Sequence, residues 1–192
     1  MAATQMGNAF GFVLLLGLLL CLLCDCLSEE GQILLQIKAS WNTNGGLNDW
    51  RSDSNGDDHC NWTGVTCHRN NKSVVGLDLE KLNITGTIPS SVCKLSNLRD
   101  LNLNLNYFAG DFLSALLKCT RLQCLVLSEN SFVGFLPDEI YKLEELVQLD
   151  LSTNGFSGDI PAGFGRLPKI EVLFLCSNQL NGIVLSLEIS LR

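Results

Sequence analysis

The sequence repeats itself every 24 residues from Val74 onward, and this periodicity constrains the fold more than any other feature. Leucine occupies the fourth and sixth positions of each repeat, and glycine occupies the thirteenth. Because several columns share one register, the similarity indicates a true internal repeat. The five repeats begin at Val74, Leu98, Leu122, Leu146 and Ile170.

Each column of the repeat has a physical explanation. Apolar residues two positions apart point to one face of a short strand, and stacked strands build a continuous core. The glycine suits a tight turn, because it adopts backbone conformations that a side chain would forbid. The pattern predicts an α/β solenoid of leucine-rich repeats. At the ninth position the first repeat has Leu82, whereas the others predict an asparagine ladder that bonds backbone groups: Asn106, Asn130, Asn154 and Asn178.

Residues 29–73 precede the repeats and are predicted to form an N-terminal cap. The apolar residues from Ile33 to Trp41 lie at helical spacing, and Ser28 before them suits a helix N-cap. We expect the tryptophans that follow, such as Trp50, to cover the first repeat.

A pair of cysteines in this cap, Cys60 and Cys67, has two chemical interpretations. The flanking His59 and His68 suggest a zinc site, but zinc ligand pairs usually have two to four intervening residues and this pair has six. In a secreted chain the spacing favours a disulfide, which would contribute about 2–4 kcal/mol to a small cap.

The first 28 residues are predicted to be a secretory signal peptide. The stretch from Phe10 to Cys24 has no charged residue and is too short for a comfortable membrane span, which needs about 20 apolar residues. No Lys or Arg precedes it, so an uncleaved anchor remains the alternative.

The repeats are assigned to residues 74–184 and an aberrant tail to residues 185–192. The fifth repeat departs from the pattern after Val184 and completes no further turn. Because terminal repeats normally need a polar cap, we expect the chain to be a fragment or shortened form of something longer. The second repeat also departs, with Phe112-Leu113 where others carry an apolar residue followed by proline.

Four cysteines lie within the repeats, in a compartment expected to be oxidising. Cys93 and Cys119 stand at similar places in successive repeats, so a disulfide across the outer face is geometrically allowed and the pairing stays open. Cys124 is expected to be a buried thiol, and Cys176 an exposed thiol that is free or pairs with another molecule.

The cap and repeats resemble a known plant family. The segments Leu47-Asn-Asp-Trp50 and Cys60-Asn-Trp-Thr-Gly-Val-Thr-Cys67 are similar to the plant-type leucine-rich-repeat N-terminal cap. Asn154-Gly-Phe-Ser-Gly-Asp-Ile-Pro161 is similar to the plant-specific 24-residue repeat class. The family that these segments resemble, the plant leucine-rich-repeat receptor-like kinases, has a signal peptide, a long repeat ectodomain, one membrane span and a cytoplasmic Ser/Thr kinase.

Two further motifs, Val92-Cys-Lys-Leu95 and Leu117-Lys-Cys-Thr120, resemble the HAESA-like group of receptor kinases. This resemblance implies a secreted peptide as ligand and a co-receptor kinase as a further partner. Kinase activity is implied only for a longer relative, since the chain has no phosphate-binding loop and no Val-Ala-Ile-Lys, His-Arg-Asp or Asp-Phe-Gly element.

The composition argues against other functions. Both histidines lie in one loop, so no Ser-His-Asp arrangement is credible, and we predict no catalytic residue, metal or cofactor. The net charge of −7 without a basic stripe argues against nucleic-acid binding. Three Asn-x-Ser/Thr motifs behind a signal peptide predict N-glycosylation at Asn61, Asn71 and Asn83; for Asn61, inside the Cys60–Cys67 loop, the sequence leaves the outcome open.

The face of the strands that points away from the core is the remaining functional surface, because concave solenoid faces suit extended peptides or proteins. The candidate binding residues are Val126, Gln148, Asp150 and Phe174. We therefore predict an extracellular binding module, the truncated ectodomain of a plant receptor-like kinase that perceives a secreted peptide. A complete small secreted protein acting as decoy, scaffold or inhibitor of a wall enzyme is the alternative. The chain would enter the secretory pathway and contact a membrane only through a longer parent or an uncleaved signal.

Overall fold

A helical cap begins the part of the chain that the computed structural model describes, which comprises residues 27–52, 58–111 and 115–181. The signal segment up to residue 26, the Phe112-Leu113 pair and the tail 185–192 therefore lie outside the described residues. Among the described residues, no helix combines the length and the apolar character that crossing a membrane requires.

The cap helix α1 spans Glu29–Ala39 and begins where the sequence predicts. The Ser28 hydroxyl oxygen accepts a hydrogen bond from the Gly31 N–H, and two acidic residues occupy the first turn, where the helix dipole favours them. The helix ends at Ala39, and the hydroxyl of the following Ser40 donates to the Ile37 carbonyl. Leu34 and Ile37 are fully buried against the first repeat.

Two β-sheets run along the described part of the solenoid, and most repeats contribute one strand to each of them. The strands in chain order are β1 (Trp41–Asn42), β2 (Val65–Cys67), β3 (Val74–Asp78), β4 (Thr85–Gly86), β5 (Asp100–Asn102), β6 (Tyr107–Asp111), β7 (Cys124–Val126), β8 (Ser131–Phe135), β9 (Gln148–Asp150), β10 (Gly155–Asp159), β11 (Val172–Phe174) and β12 (Gln179–Asn181).

The first sheet has the order β11-β9-β7-β5-β3-β2 and carries the predicted leucine columns. Its repeat strands are parallel and in register, so that Leu101 pairs with Leu125 and Leu125 with Leu149. The cap strand β2 joins antiparallel to β3 and closes the N-terminal edge. The predicted α/β solenoid with a helical disulfide cap is confirmed.

The second sheet has the order β1-β4-β6-β8-β10-β12 and was not predicted from the sequence. It occupies the tenth to fourteenth positions of the repeats, where the sequence analysis expected a tight turn at glycine. The cap strand β1 pairs antiparallel with β4, so the cap closes the edge of both sheets.

Short 3-10 turns return the chain from the second sheet to the first. They cover Ser90–Lys94, Leu116–Lys118, Asp138–Lys142 and Ala162–Arg166. Between sheets and turns the leucines are buried, and Phe108, Phe132 and Phe156 stack with ring centroids 6.2–6.3 Å apart.

The core is shielded from solvent next to the cap and is more exposed in the last described repeat. Leu101, Leu125 and Leu149 are completely buried, whereas the equivalent Leu173 is half-buried. Ile170 and Leu180 are also only partly buried, because no described repeat packs on them.

Candidate functional site

The predicted binding strip lies on the three C-terminal strands of the first sheet. Val126 on β7 pairs in register with Asp150 on β9, and Asp150 pairs with Phe174 on β11. Gln148 lies two residues before Asp150 on the same strand and pairs with Cys124 and Val172. The structure therefore brings the four candidate residues together, and each of them is half-buried.

Asp150 provides the charged centre of this strip. Its Oδ1 accepts hydrogen bonds from the Ser152 N–H at 2.9 Å and from the Ser152 hydroxyl at 2.6 Å. These bonds hold the carboxylate between Val126 and Phe174, so an apolar side chain lies on either side of a negative charge. The strip can contact apolar groups and one cation or hydrogen-bond donor of a ligand.

The N-terminal half of the same face is polar. The Asp78 carboxylate accepts from the Asn102 side-chain amide at 2.9 Å, and the Ser128 hydroxyl donates to the Asn104 side-chain oxygen at 3.0 Å. These polar groups bond one another between successive repeats; Asp78 is exposed and the two asparagines are half-buried, whereas Ser128 is buried.

Cys124 lies beside the strip as a free thiol. It is half-buried on the face of β7 that points away from the core, which corrects the expectation of a buried thiol, since that expectation overlooked that the third position of the repeat points away from the core. Burial raises the pKa of the Cys124 thiol, and the carboxylates of Asp100 and Asp150 raise it further. Cys176 is free and exposed.

The asparagines form a continuous series of amide contacts between repeats. The Asn130 side-chain oxygen accepts from the Phe108 N–H of the preceding repeat at 2.9 Å. Its amide nitrogen donates to the carbonyls of Leu103, Leu127 and Ser128. Asn106, Asn154 and Asn178 bond equivalent backbone groups.

Two disulfides are present among the described residues. One joins Cys60 and Cys67 in the cap, with Cα atoms 5.5 Å apart. The second joins Cys93 and Cys119, with Cα atoms 4.7 Å apart, and connects the 3-10 turn Ser90–Lys94 to the residue that follows the turn Leu116–Lys118 in the next repeat.

His59 stands close enough to Cys60 and Cys67 for the three to hold a metal ion, but both sulfurs are used in the disulfide. The His59 ring bonds the Ser28 hydroxyl at 3.0 Å and the Lys72 carbonyl at 3.2 Å. Its role in this arrangement is to join the start of α1 to the disulfide loop.

The three predicted glycosylation sites have exposed asparagines. The Asn71 side-chain oxygen accepts from the Ser73 hydroxyl at 2.9 Å, so the two polar residues of that motif face each other. Lys72 between them hydrogen-bonds Asp58, which lowers the pKa of the Asp58 carboxyl. Glycosylation of these positions stays a prediction.

Sequence reasoning missed one surface, the outward face of the second sheet. It carries Tyr107, Val133 and Phe135, all well exposed. The available signal was the apolar eleventh column at Phe108, Phe132 and Phe156, whose burial requires that the tenth and twelfth side chains point outward.

The comparisons with known proteins agree on the type of protein. Residues 27–68 match the leucine rich repeat N-terminal domain, and residues 121–143 and 145–167 match the Leucine Rich Repeat family. A leucine-rich repeat receptor-like serine/threonine-protein kinase of Arabidopsis thaliana is 40% identical over 103 residues, which are 53% of this chain and 9% of that protein. The chain thus spans less than a tenth of that relative.

Two solved structures extend the likeness. A chain of the BIR3–SERK2 complex from Arabidopsis thaliana is 30% identical, with a TM-score of 0.75 over 78% of this chain and 82% of that one. The Arabidopsis receptor kinase HAESA in complex with the peptide hormone IDA and the co-receptor SERK1 is 26% identical, with a TM-score of 0.64 over 81% of this chain and 30% of that one. The described part of the chain is a leucine-rich-repeat solenoid with its N-terminal cap. It belongs to the plant leucine-rich-repeat ectodomain family and is related to leucine-rich-repeat receptor-like kinases.

Proposed function

We propose that this chain is the N-terminal ligand-binding part of a plant receptor-like kinase ectodomain and receives a secreted peptide on the first sheet. The observation that carries the proposal is the strip in which Asp150 lies in register between Val126 and Phe174. Support comes from the related HAESA ectodomain, whose structure contains a peptide hormone and a co-receptor.

The strip fits a peptide that crosses the strands. Neighbouring strands lie about 4.8 Å apart, so Val126 and Phe174 stand about 9.6 Å apart, a distance that an extended peptide rising about 3.3 Å per residue spans in about three residues. Full burial of a large apolar side chain contributes about 1.5–3 kcal/mol, so three strands provide a weak site. A larger ectodomain would add contacts on further repeats.

The test is a binding measurement on the secreted chain with a library of secreted plant peptides, followed by two variants. Phe174→Ala and Asp150→Asn are each expected to weaken binding about tenfold, because one removes the apolar contact and the other the charge. Asp78→Asn is the matched control, since it removes a carboxylate from the same column at the polar end. Equal losses in Asp150→Asn and Asp78→Asn would contradict the proposal.

Within the receptor-like kinases, we assign this chain to the HAESA-like group because of the motifs Val92-Cys-Lys-Leu95 and Leu117-Lys-Cys-Thr120. In this assignment a co-receptor kinase is the second partner, and the full receptor lies at the plasma membrane. The DNA downstream of Arg192 tests the assignment. Further repeats, a membrane span and kinase motifs in frame are expected; a stop codon in every transcript would instead favour a small secreted decoy, scaffold or inhibitor.

A further inference from the structure

The outward face of the second sheet is an exposed apolar surface that the peptide-binding proposal does not use. Among the described residues, Tyr107, Val133 and Phe135 are large apolar side chains that are 59%, 47% and 75% exposed. They lie on the neighbouring strands β6 and β8, and the side chains that alternate with them, such as Phe132, are buried. Apolar side chains grouped on one sheet face mark interaction sites more often than single exposed ones do.

Glycine at the thirteenth position of the repeat leaves room on this face for side chains of the preceding repeat. A Cβ on Gly134 would lie 2.7 Å from Oδ1 of Asp111, and a Cβ on Gly158 would lie 2.5 Å from Cδ1 of Phe135. The side chain at the fourteenth position of one repeat thus lies over the bare backbone of the next. This arrangement places the edge of the Phe135 ring on the sheet and leaves most of the ring exposed.

The charges on this face all have one sign. Asp111 and Asp159 hold the same position of the repeat as Phe135, one repeat before and one after it, and both are exposed. Diagonal neighbours on adjacent strands lie about 7–8 Å apart, so an aromatic ring stands between two carboxylates. The described strands β4, β6, β8, β10 and β12 contain no Lys or Arg.

We propose that the outward face of β6, β8 and β10 docks an extended, cationic segment of a partner protein. An apolar side chain of the partner packs on Val133 and Phe135, and its Lys or Arg side chains reach Asp111 and Asp159. A cation beside Phe135 gains a further attraction from the ring face. A second copy of this chain is a poor occupant, because its own Asp111 and Asp159 would bring like charges into the interface.

The test is an NMR titration of the isotopically labelled secreted chain with two capped hexapeptides. The basic probe is Lys-Ser-Val-Ser-Lys-Ser and the acidic probe is Glu-Ser-Val-Ser-Glu-Ser, so that in an extended chain the apolar side chain and the charged side chains point to the same face. The basic probe is expected to shift amide signals of β6, β8 and β10, and the acidic probe to leave them unchanged. This readout is independent of the first sheet, so the two proposals fail separately.

Variants then separate specific docking from general attraction to an acidic protein. Phe135→Ser is expected to weaken binding of the basic probe about tenfold, and D111N/D159N by a similar factor with a smaller dependence on salt. E139Q/E144Q removes two carboxylates elsewhere on the surface and is expected to change the affinity less than twofold. Because all these side chains are exposed, the amide spectrum of each free variant should match that of the parent except at the substituted residues and their direct neighbours, such as Gly158 beside Phe135.

Three outcomes would overturn the proposal. Equal weakening in D111N/D159N and E139Q/E144Q would mean long-range attraction without docking. Amide shifts confined to β7, β9 and β11 would place the probe on the first sheet. Binding of cellohexaose to β6, β8 and β10 with no response to the basic probe would assign the face to a carbohydrate.

Discussion

The ring of Phe135 lies over the backbone of Gly158 in the following repeat, with Cδ1 2.5 Å from the point where a Cβ would stand. Gly158 also has a φ of 80°, a conformation that side chains disfavour. Two independent constraints therefore act on the thirteenth position of the repeat, one from its own backbone and one from its neighbour.

Replacing Gly158 by alanine is expected to lower the free energy of unfolding by about 1–3 kcal/mol, since the left-handed region alone costs a side chain about 1–2 kcal/mol. The double variant G158A/F135A should recover the part that comes from the ring contact. Urea denaturation of both single variants and the double variant measures this coupling. Gly165→Ala is the matched control, because a Cβ there meets nothing within 4 Å, and it should change stability by less than about 0.5 kcal/mol.

Removing one amide of the asparagine ladder should destabilise the chain strongly. Asn130→Ala leaves the Phe108 N–H and up to three carbonyls without their partner, and each buried unsatisfied group costs about 1–3 kcal/mol. Because nearby water can satisfy some of them, we expect a total loss of about 2–3 kcal/mol by urea denaturation. Asn97→Ala, which loses one exposed bond from Arg121, serves as control. Equal losses of unfolding free energy in the two variants would show that an asparagine of the ladder contributes no more than one exposed side-chain hydrogen bond.

The two disulfides should differ in their contribution to stability. In the chain-entropy description a longer closed loop gives more stabilisation, and the residues joined are 26 apart for Cys93–Cys119 but 7 apart for Cys60–Cys67. Replacing both cysteines of the pair by serine should cost about 3–4 kcal/mol for C93S/C119S and about 2–3 kcal/mol for C60S/C67S. Denaturation of both variants under one set of conditions measures the order. The reverse order would mean that native contacts in the cap outweigh loop closure.

The fold was predictable to different degrees in its two sheets. The first sheet follows from Leu101, Leu125 and their equivalents, because two apolar residues two positions apart identify one face of a strand. The second sheet escaped prediction because its outward residues alternate between types as different as Tyr107, Ser131 and Gly155. Without an outward pattern, only the buried Phe132 column remained, and that column fits a turn as well as a strand.

The candidate strip was predictable as a set of positions and not as a chemical environment. The 24-residue register alone aligns Val126, Asp150 and Phe174. The bonds from Ser152 to Asp150 depend on side-chain geometry that repeat spacing does not specify. The half-burial of Cys124 also depends on neighbouring side chains, such as those of Asp100 and Asp150.

The two free thiols should react with iodoacetamide at different rates. Cys176 is exposed, whereas Cys124 is half-buried. Burial and the carboxylates of Asp100 and Asp150 raise the pKa of the Cys124 thiol, so a smaller fraction of Cys124 is thiolate at pH 8 than of an ordinary thiol. Cys176 should therefore be alkylated first, and the Cys124 rate should keep rising to a higher pH than that of an ordinary thiol. Asp100→Asn removes a charge that disfavours the thiolate and should speed alkylation of Cys124 alone. Peptide mass spectrometry of timed samples gives both rates, and faster reaction of Cys124 in the parent would refute the assignment.

Glycosylation can be checked site by site, because the three sequons have exposed asparagines. When the full sequence is expressed through a plant secretory pathway, we expect Asn61, Asn71 and Asn83 each to carry one glycan. Asn61→Gln, Asn71→Gln and Asn83→Gln should then each lower the mass by one glycan, and enzymatic deglycosylation should bring all forms to the polypeptide mass. Asn70→Gln, adjacent to a sequon but outside it, is the control that should leave the mass of the glycans unchanged. A secreted chain that carries no glycan would contradict this prediction and would show that exposure of the three asparagine side chains is insufficient for modification.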